Sequence, residues 1–123
     1  MKNYGTIIVD GTRAAVFPIA GHDFAIYMPP CKKDGSDIAH AYSRSRQRNV
    51  NMTLLKTAIE QHIDEIIDTA FKSQNKQKVL FRWHNATIVT VVGMWKKKLP
   101  TLGIITAIDC WKKEKEGEIV FDM

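Results

Sequence analysis

The stretch "KVLFRWHNATIVTVVGMWKKKLPTLGIITAIDCW", residues 78–111, decides the fold. It contains three runs, "KVLFRW", "ATIVTVVGMW" and "LGIITAIDCW", each dense in β-branched and aromatic residues and each predicting a strand. His84-Asn85 separates the first two and reads as a two-residue turn, while "KKKLP" connects the second to the third. Three consecutive strands with such short joints predict an antiparallel meander. "EGEIVFDM", residues 116–123, adds a last edge strand, and the alternation of Lys112, Lys113 and Lys115 with Glu114 and Glu116 reads as a solubilised edge.

Upstream, the periodicity changes from two to 3.6. Leu55, Ala58, Ile59, Ile63, Ile66, Ile67 and Ala70 fall on one helical stripe, with Glu60, Asp64, Glu65 and Asp68 on the wet side. A helix is expected from Met52 to about Phe71, capped by Asn51. "KSQNKQK" then forms a loop. A shorter helix is expected from Asp37 to about Arg48, capped by Ser36 or Asp37 and ended by Asn49, which suits a left-handed cap. At the N-terminus, "TIIVDGTRAAVFPI" places two β-type runs around Asp10-Gly11, a strong hairpin signal. "HDFAIYMPP" reads as a third short strand, closed by Pro29 and Pro30. The expected class is α+β in a single domain over 1–123. An N-terminal β-hairpin region (1–35) precedes an RNase-like part (36–123) of two helices and a three- to four-stranded antiparallel sheet.

The totals agree with one soluble core. The chain has 123 residues, 45% of them hydrophobic and 25% charged, which is globular composition and not that of a disordered chain. A formal charge of +5 points to an anionic partner, most commonly nucleic acid. The two cysteines, Cys31 and Cys110, have no CxxC spacing, so neither a zinc site nor a disulfide framework is expected, and a reducing cytoplasm fits best. "MKNYGTIIVDGTRAAVF" lacks the apolar core of a signal peptide, and no apolar run approaches the ~18 residues of a spanning helix, so no membrane role is expected. The initiator Met and the absence of linkers predict a complete small cytoplasmic protein.

Chemistry concentrates in "SDIAHAYSRSRQRNVN", residues 36–51. On a helix at ~100° per residue, Arg44 lies ~40° from His40 and Arg48 ~80°, whereas Ile38, Ala41, Tyr42 and Ser45 share a separate apolar arc. His40, Arg44 and Arg48 therefore form one ridge, and Arg46 points away. Like charges at i, i+4 cost a few tenths of a kcal/mol on an isolated helix, and a bound anion would relieve that repulsion. Arginine forks match phosphate oxygens bidentately, and histidine can move a proton near neutral pH. Cleavage of RNA by its own 2′-OH needs only a base, an acid and positive charge, so no metal or other cofactor is required. The alternative is a solvated basic helix with an incidental histidine.

"HAYSRSRQRNVN" also has the form His-Ala-x3-Arg-x3-Arg, followed by a turn residue, an aliphatic and a helix cap. It resembles a signature of the RelE-like (BECR) superfamily of small RNases and toxins, and is similar to the phage endoribonuclease RegB. The resemblance spans residues 38–108 and implies two helices before an antiparallel sheet, with a hydroxyl residue on a late strand. Thr106, in "GIITAID", would be that hydroxyl, His40 the acid/base, and Arg44 the phosphate-binding charge. Asn49 stands where the family usually has glycine, and residues 1–35 lie outside the resemblance.

Other residues complete the expectation. His84 is the candidate second acid/base; Arg82, which should point opposite to Phe81 and Trp83, and Lys96, Lys97 and Lys98 are candidates for holding RNA. Each has a plain structural alternative as a turn, edge or solvated residue. His22 reads as loop surface and His62 as half-buried packing. Trp83, Trp95 and Trp111 could stack bases or pack at an edge. The leading expectation is a metal-independent endoribonuclease, a toxin or phage enzyme, that leaves 2′,3′-cyclic phosphate ends. Its partners would be RNA, and an antitoxin or the ribosome. The alternatives are a non-catalytic nucleic-acid-binding module and a protein-interaction factor.

Overall fold

The computed structural model describes residues 6–29, 49–73 and 76–123. Tight turns build its N-terminal part. Asp10 and Gly11 have φ of 49° and 79°, and Ala20 and Gly21 have 51° and 82°, the left-handed pairs that match the twist of a hairpin. They separate β1 (Thr6–Val9), β2 (Thr12–Ile19) and β3 (His22–Tyr27). Two helices follow, α1 (Met52–Gln61) and α2 (Ile63–Lys72), then β4 (Gln77–Trp83), β5 (Ala86–Trp95), β6 (Leu99–Ile108) and β7 (Ile119–Asp122).

The α+β class is as expected, but the sheet is larger and of a different kind. All seven strands join in one mixed sheet, ordered β1-β2-β3-β6-β5-β4-β7, in place of three or four antiparallel strands, and the N-terminal hairpin region is part of it. Two parallel neighbours make the difference. β3 pairs β6 through Ala25–Thr101, Ile26–Leu102 and Tyr27–Gly103, and β7 pairs β4 through Val79–Ile119 to Arg82–Asp122. A parallel pair needs a long crossover, and the chain between β3 and β6 is long enough to supply it. Alternation within a strand says which face a residue occupies and nothing about which strand lies beside it.

One face of the sheet is covered by the helices. Leu55, Ala58, Ile59, Ile66 and Ala70 pack with Phe24, Ile26, Val79, Phe81, Ile88, Val92, Leu102 and Ile104 in the main core. On the opposite face Ile7, Val9, Ala14, Ala25, Tyr27 and Leu99 form a second cluster. The N-terminal hairpin reaches far enough over this side for the Trp95 indole Nε1 to donate to the Ile8 carbonyl at 2.9 Å. Gly103 makes the closure possible. A Cβ there would stand 2.9 Å from both Tyr27 Cζ and Val91 Cγ2.

The expected single helix from Met52 to Phe71 is broken at His62, which has φ −121° and ψ 29°. Its N–H donates to Ile59 O at 3.2 Å, a tightened last turn, while its carbonyl starts α2 by accepting from Ile66 N at 3.0 Å. The imidazole stacks on Phe121 of β7 with centroids 4.5 Å apart, and its Nδ1 lies 3.0 Å from Glu65 Oε2. Packing on β7 thus accompanies a break that no glycine or proline announces. Asn51 caps α1 as expected, its side chain accepting from Leu54 N at 3.0 Å. The expected helix over 37–48, with the ridge of His40, Arg44 and Arg48, lies outside the described residues, as does Cys31.

Candidate nucleic-acid interface

"WKKKL" must turn β5 back into β6, and it does so in a costly way. Lys98 N–H donates to Trp95 O at 3.0 Å, and the two central residues, Lys96 and Lys97, have φ of 49° and 56°. These are the φ signs of a type I′ turn, a conformation that Asn-Gly adopts readily. An L-residue with a Cβ pays roughly 1 kcal/mol or more there. The other left-handed hairpin turns each carry a glycine, whereas this one carries lysine at both positions. Strain of this kind collects where a side chain is required for something besides folding.

The turn borders a cleft of about 700 Å3. Lys96 and Lys97 line it, together with Trp95, Asp10 from the β1–β2 turn, Lys76 just before β4, and Phe71 from the last turn of α2. The Lys96 ammonium stands 4.7 Å from the centroid of the Trp95 ring, whose N–H is already committed to Ile8. Across the cleft, Lys76 pairs with the Asp10 carboxylate. Partial burial disfavours the Lys76 charge, but Asp10 and then Tyr27 outweigh it, so the lysine pKa lies above its ordinary value. The Lys76 ammonium is 5.5 Å from the Tyr27 ring centroid, and the buried Tyr27 hydroxyl has no direct hydrogen-bond partner.

A second cleft, of about 240 Å3, adjoins α2 and is lined by His22, Asp23, Ile67, Phe71 and Lys98, among others. Phe71 borders both and is 63% exposed. Four lysines and two aspartates thus line two adjoining hollows, with exposed aromatic surface between them. Such a surface can hold an anionic backbone and stack a flat ring.

The candidates from the sequence do not all meet here. Lys96 and Lys97 lie in the large cleft and Lys98 in the small one. His84 is exposed in the β4–β5 turn, at the other end of the ten-residue β5, roughly 30 Å away along the strand. Thr106 is half-buried and pairs with Val89, on the sheet face away from the helices. Arg82 also faces that side, opposite to Phe81 as its alternation with Phe81 and Trp83 implies. It is only 6% exposed, and its Nε and Nη2 donate to the two Asp122 oxygens at 2.7 and 2.8 Å. Its Nη1 donates to Lys112 O at 3.2 Å, and the Trp111 ring lies 4.2 Å from the guanidinium carbon. A phosphate would have to displace Asp122 to reach it.

Phe71 and Lys76 are candidate-site residues that the sequence did not single out, while His22, read as loop surface, is exposed at the start of β3 and lines the smaller cleft. For Phe71 a signal existed: it sits one position past the buried Ala70, at the edge of the apolar stripe, so a helix ending there leaves its ring partly uncovered. Lys76 carried no such signal, because its partner comes from a turn in the distant N-terminal hairpin. Among the described residues, no group of three or more His, Cys, Asp or Glu side chains is placed to hold a metal ion. No protein-family model, curated protein or solved structure matches the chain.

Proposed function

We propose that this chain binds RNA through the basic, aromatic-lined cleft at the β5–β6 turn. The observation that carries the reading is the pair Lys96–Lys97, held in a left-handed turn beside Trp95 and lining the same cleft as Phe71. A turn that needed only to reverse the chain would be relieved by Asn-Gly. Lysines kept there supply charge at a fixed place, and the formal charge of +5 gives the whole molecule the sign that attracts a polyanion.

Metal-independent cleavage is the further reading, and it rests on the sequence ridge. His40 would take the proton from a 2′-OH, and the freed oxygen would attack the adjacent phosphorus. The P–O5′ bond would break, leaving a 2′,3′-cyclic phosphate and a 5′-hydroxyl, with Arg44 and Arg48 holding the phosphate oxygens. Thr106, or His84 as second acid, would assist. With its β-turn far from the lysine turn, His84 cannot serve a phosphate held by Lys96 and Lys97. An antitoxin or ribosomal partner would bear on the same ridge.

The two readings separate in one paired assay. Labelled RNA is titrated with wild type and with a Lys96→Glu/Lys97→Glu variant, and total RNA is incubated in EDTA with wild type and His40→Ala. Salt-sensitive binding lost in the lysine variant supports the RNA-binding reading. Cyclic-phosphate ends that disappear in His40→Ala would add the enzyme. Absence of both binding and cleavage removes both readings and favours an interaction factor.

A further inference from the structure

Phe71 is an anomaly on its helix. Ile66 and Ala70 of α2 are fully buried, yet the aromatic ring that follows them is 63% exposed and borders two hollows at once. Leaving a phenyl ring in water forgoes burial that a slightly different helix end would have gained. The charges around it are arranged by side. Lys96 and Lys97 lie in the larger cleft, and Lys98 in the smaller. Lys72, next in the chain, is drawn instead to Asp68 at 3.0 Å. Of the two carboxylates bordering the hollows, Asp10 is engaged by Lys76, and Asp23 stands in the smaller cleft with Lys98 and His22.

We infer that the two clefts are consecutive subsites of one track for single-stranded RNA, with a base stacked on Phe71 and the flanking phosphates held by Lys96–Lys97 on one side and Lys98 on the other. This rests on the RNA-binding reading and specifies its substrate class. Aromatic platforms between cations take single strands because an unpaired base offers a free face to stack. In an A-form duplex those faces are closed, and only phosphates and 2′-hydroxyls are presented. The smaller cleft suits a lone base edge or phosphate, and Asp23 there can accept from an exocyclic amine. The larger cleft, with Lys96, Lys97 and the Trp95 ring, suits a nucleotide.

The test is fluorescence anisotropy with a labelled, unstructured oligoribonucleotide and with the same strand annealed to its complement. The proteins are wild type, Phe71→Ala, Phe71→Leu, Phe71→Tyr and Lys96→Glu/Lys97→Glu, each checked for native circular dichroism. Because Phe71 is largely exposed, its replacement leaves the core intact. Wild type is expected to prefer the single strand. Phe71→Ala should weaken that binding by about 5- to 100-fold with an unchanged salt slope, and duplex affinity should stay the same. Phe71→Leu, which keeps apolar bulk without a π-face, should resemble Phe71→Ala, and Phe71→Tyr should resemble wild type. Equal binding of both RNAs, or a Phe71→Ala affinity equal to wild type, overturns the track. If the lysine variant still loses binding in that case, the RNA-binding reading stands without it. If wild type binds neither RNA, that reading fails and the track fails with it.

Discussion

Gly103 and Arg82 show how much a single side chain decides here. Gly103 has no room for a Cβ, with Tyr27 and Val91 both 2.9 Å from where it would lie. Gly103→Ala is expected to destabilise the protein by about 1–3 kcal/mol in urea denaturation, because the ring and the valine must both move. Arg82 ties β4 to β7 and to the segment after β6. Lysine offers no planar fork, so Arg82→Lys should lower the melting temperature nearly as much as Arg82→Ala, a drop of several degrees read by differential scanning fluorimetry. RNA affinity per folded molecule should not change in either variant. Alternation with Phe81 and Trp83 told which side Arg82 faces. Its partner was not legible, since Asp122 lies 40 residues along the chain and parallel pairing alone brings it there.

At the scale of elements, the β5–β6 turn is where stability and the proposed RNA binding should pull apart. Lys96→Asn/Lys97→Gly replaces two strained residues with the pair that prefers this backbone. It should raise stability by about 1 kcal/mol or more in urea denaturation while weakening RNA binding. A turn whose replacement left binding unchanged would have no role in it. The hairpin turns were legible because Asp10-Gly11 and the "KKKLP" joint interrupt β-type runs, and the α1 cap was legible in Asn51. The break between α1 and α2 was not, because the apolar stripe runs through His62 without a pause and the stacking ring, Phe121, belongs to the last strand. The same limit hid the candidate interface. Its lysine turn stood out in the sequence, but Phe71 and Lys76 join it only through packing of α2 and the N-terminal hairpin.

Across the whole molecule, the cross-chain ties bear charge and so respond to pH. Arg82 holds the Asp122 carboxyl below its ordinary range, chiefly by hydrogen bonding. Glu118, whose side chain is 5% exposed, is likewise lowered, first by the Lys115 N–H at 2.6 Å; Lys112 and Lys78, whose ammonium is 3.4 Å away, also contribute. A carboxylate depressed in the folded state contributes stability that is present above its unfolded pKa, near 4, and is lost as pH falls through the folded value. Melting temperature should therefore hold from neutrality to about pH 5 and fall below about pH 4, with a shallower fall in Asp122→Asn.

The salt dependence of RNA binding tests the central claim most directly. For a single strand, the slope of log affinity against log salt scales as about 0.7 per phosphate neutralised. With Lys96 and Lys97 on the backbone, the Lys96→Glu/Lys97→Glu variant should bind more weakly, with a slope shallower by at least about 1.4. A variant matching wild type in both affinity and slope would show that RNA is held elsewhere, and that the lysine turn is only a turn.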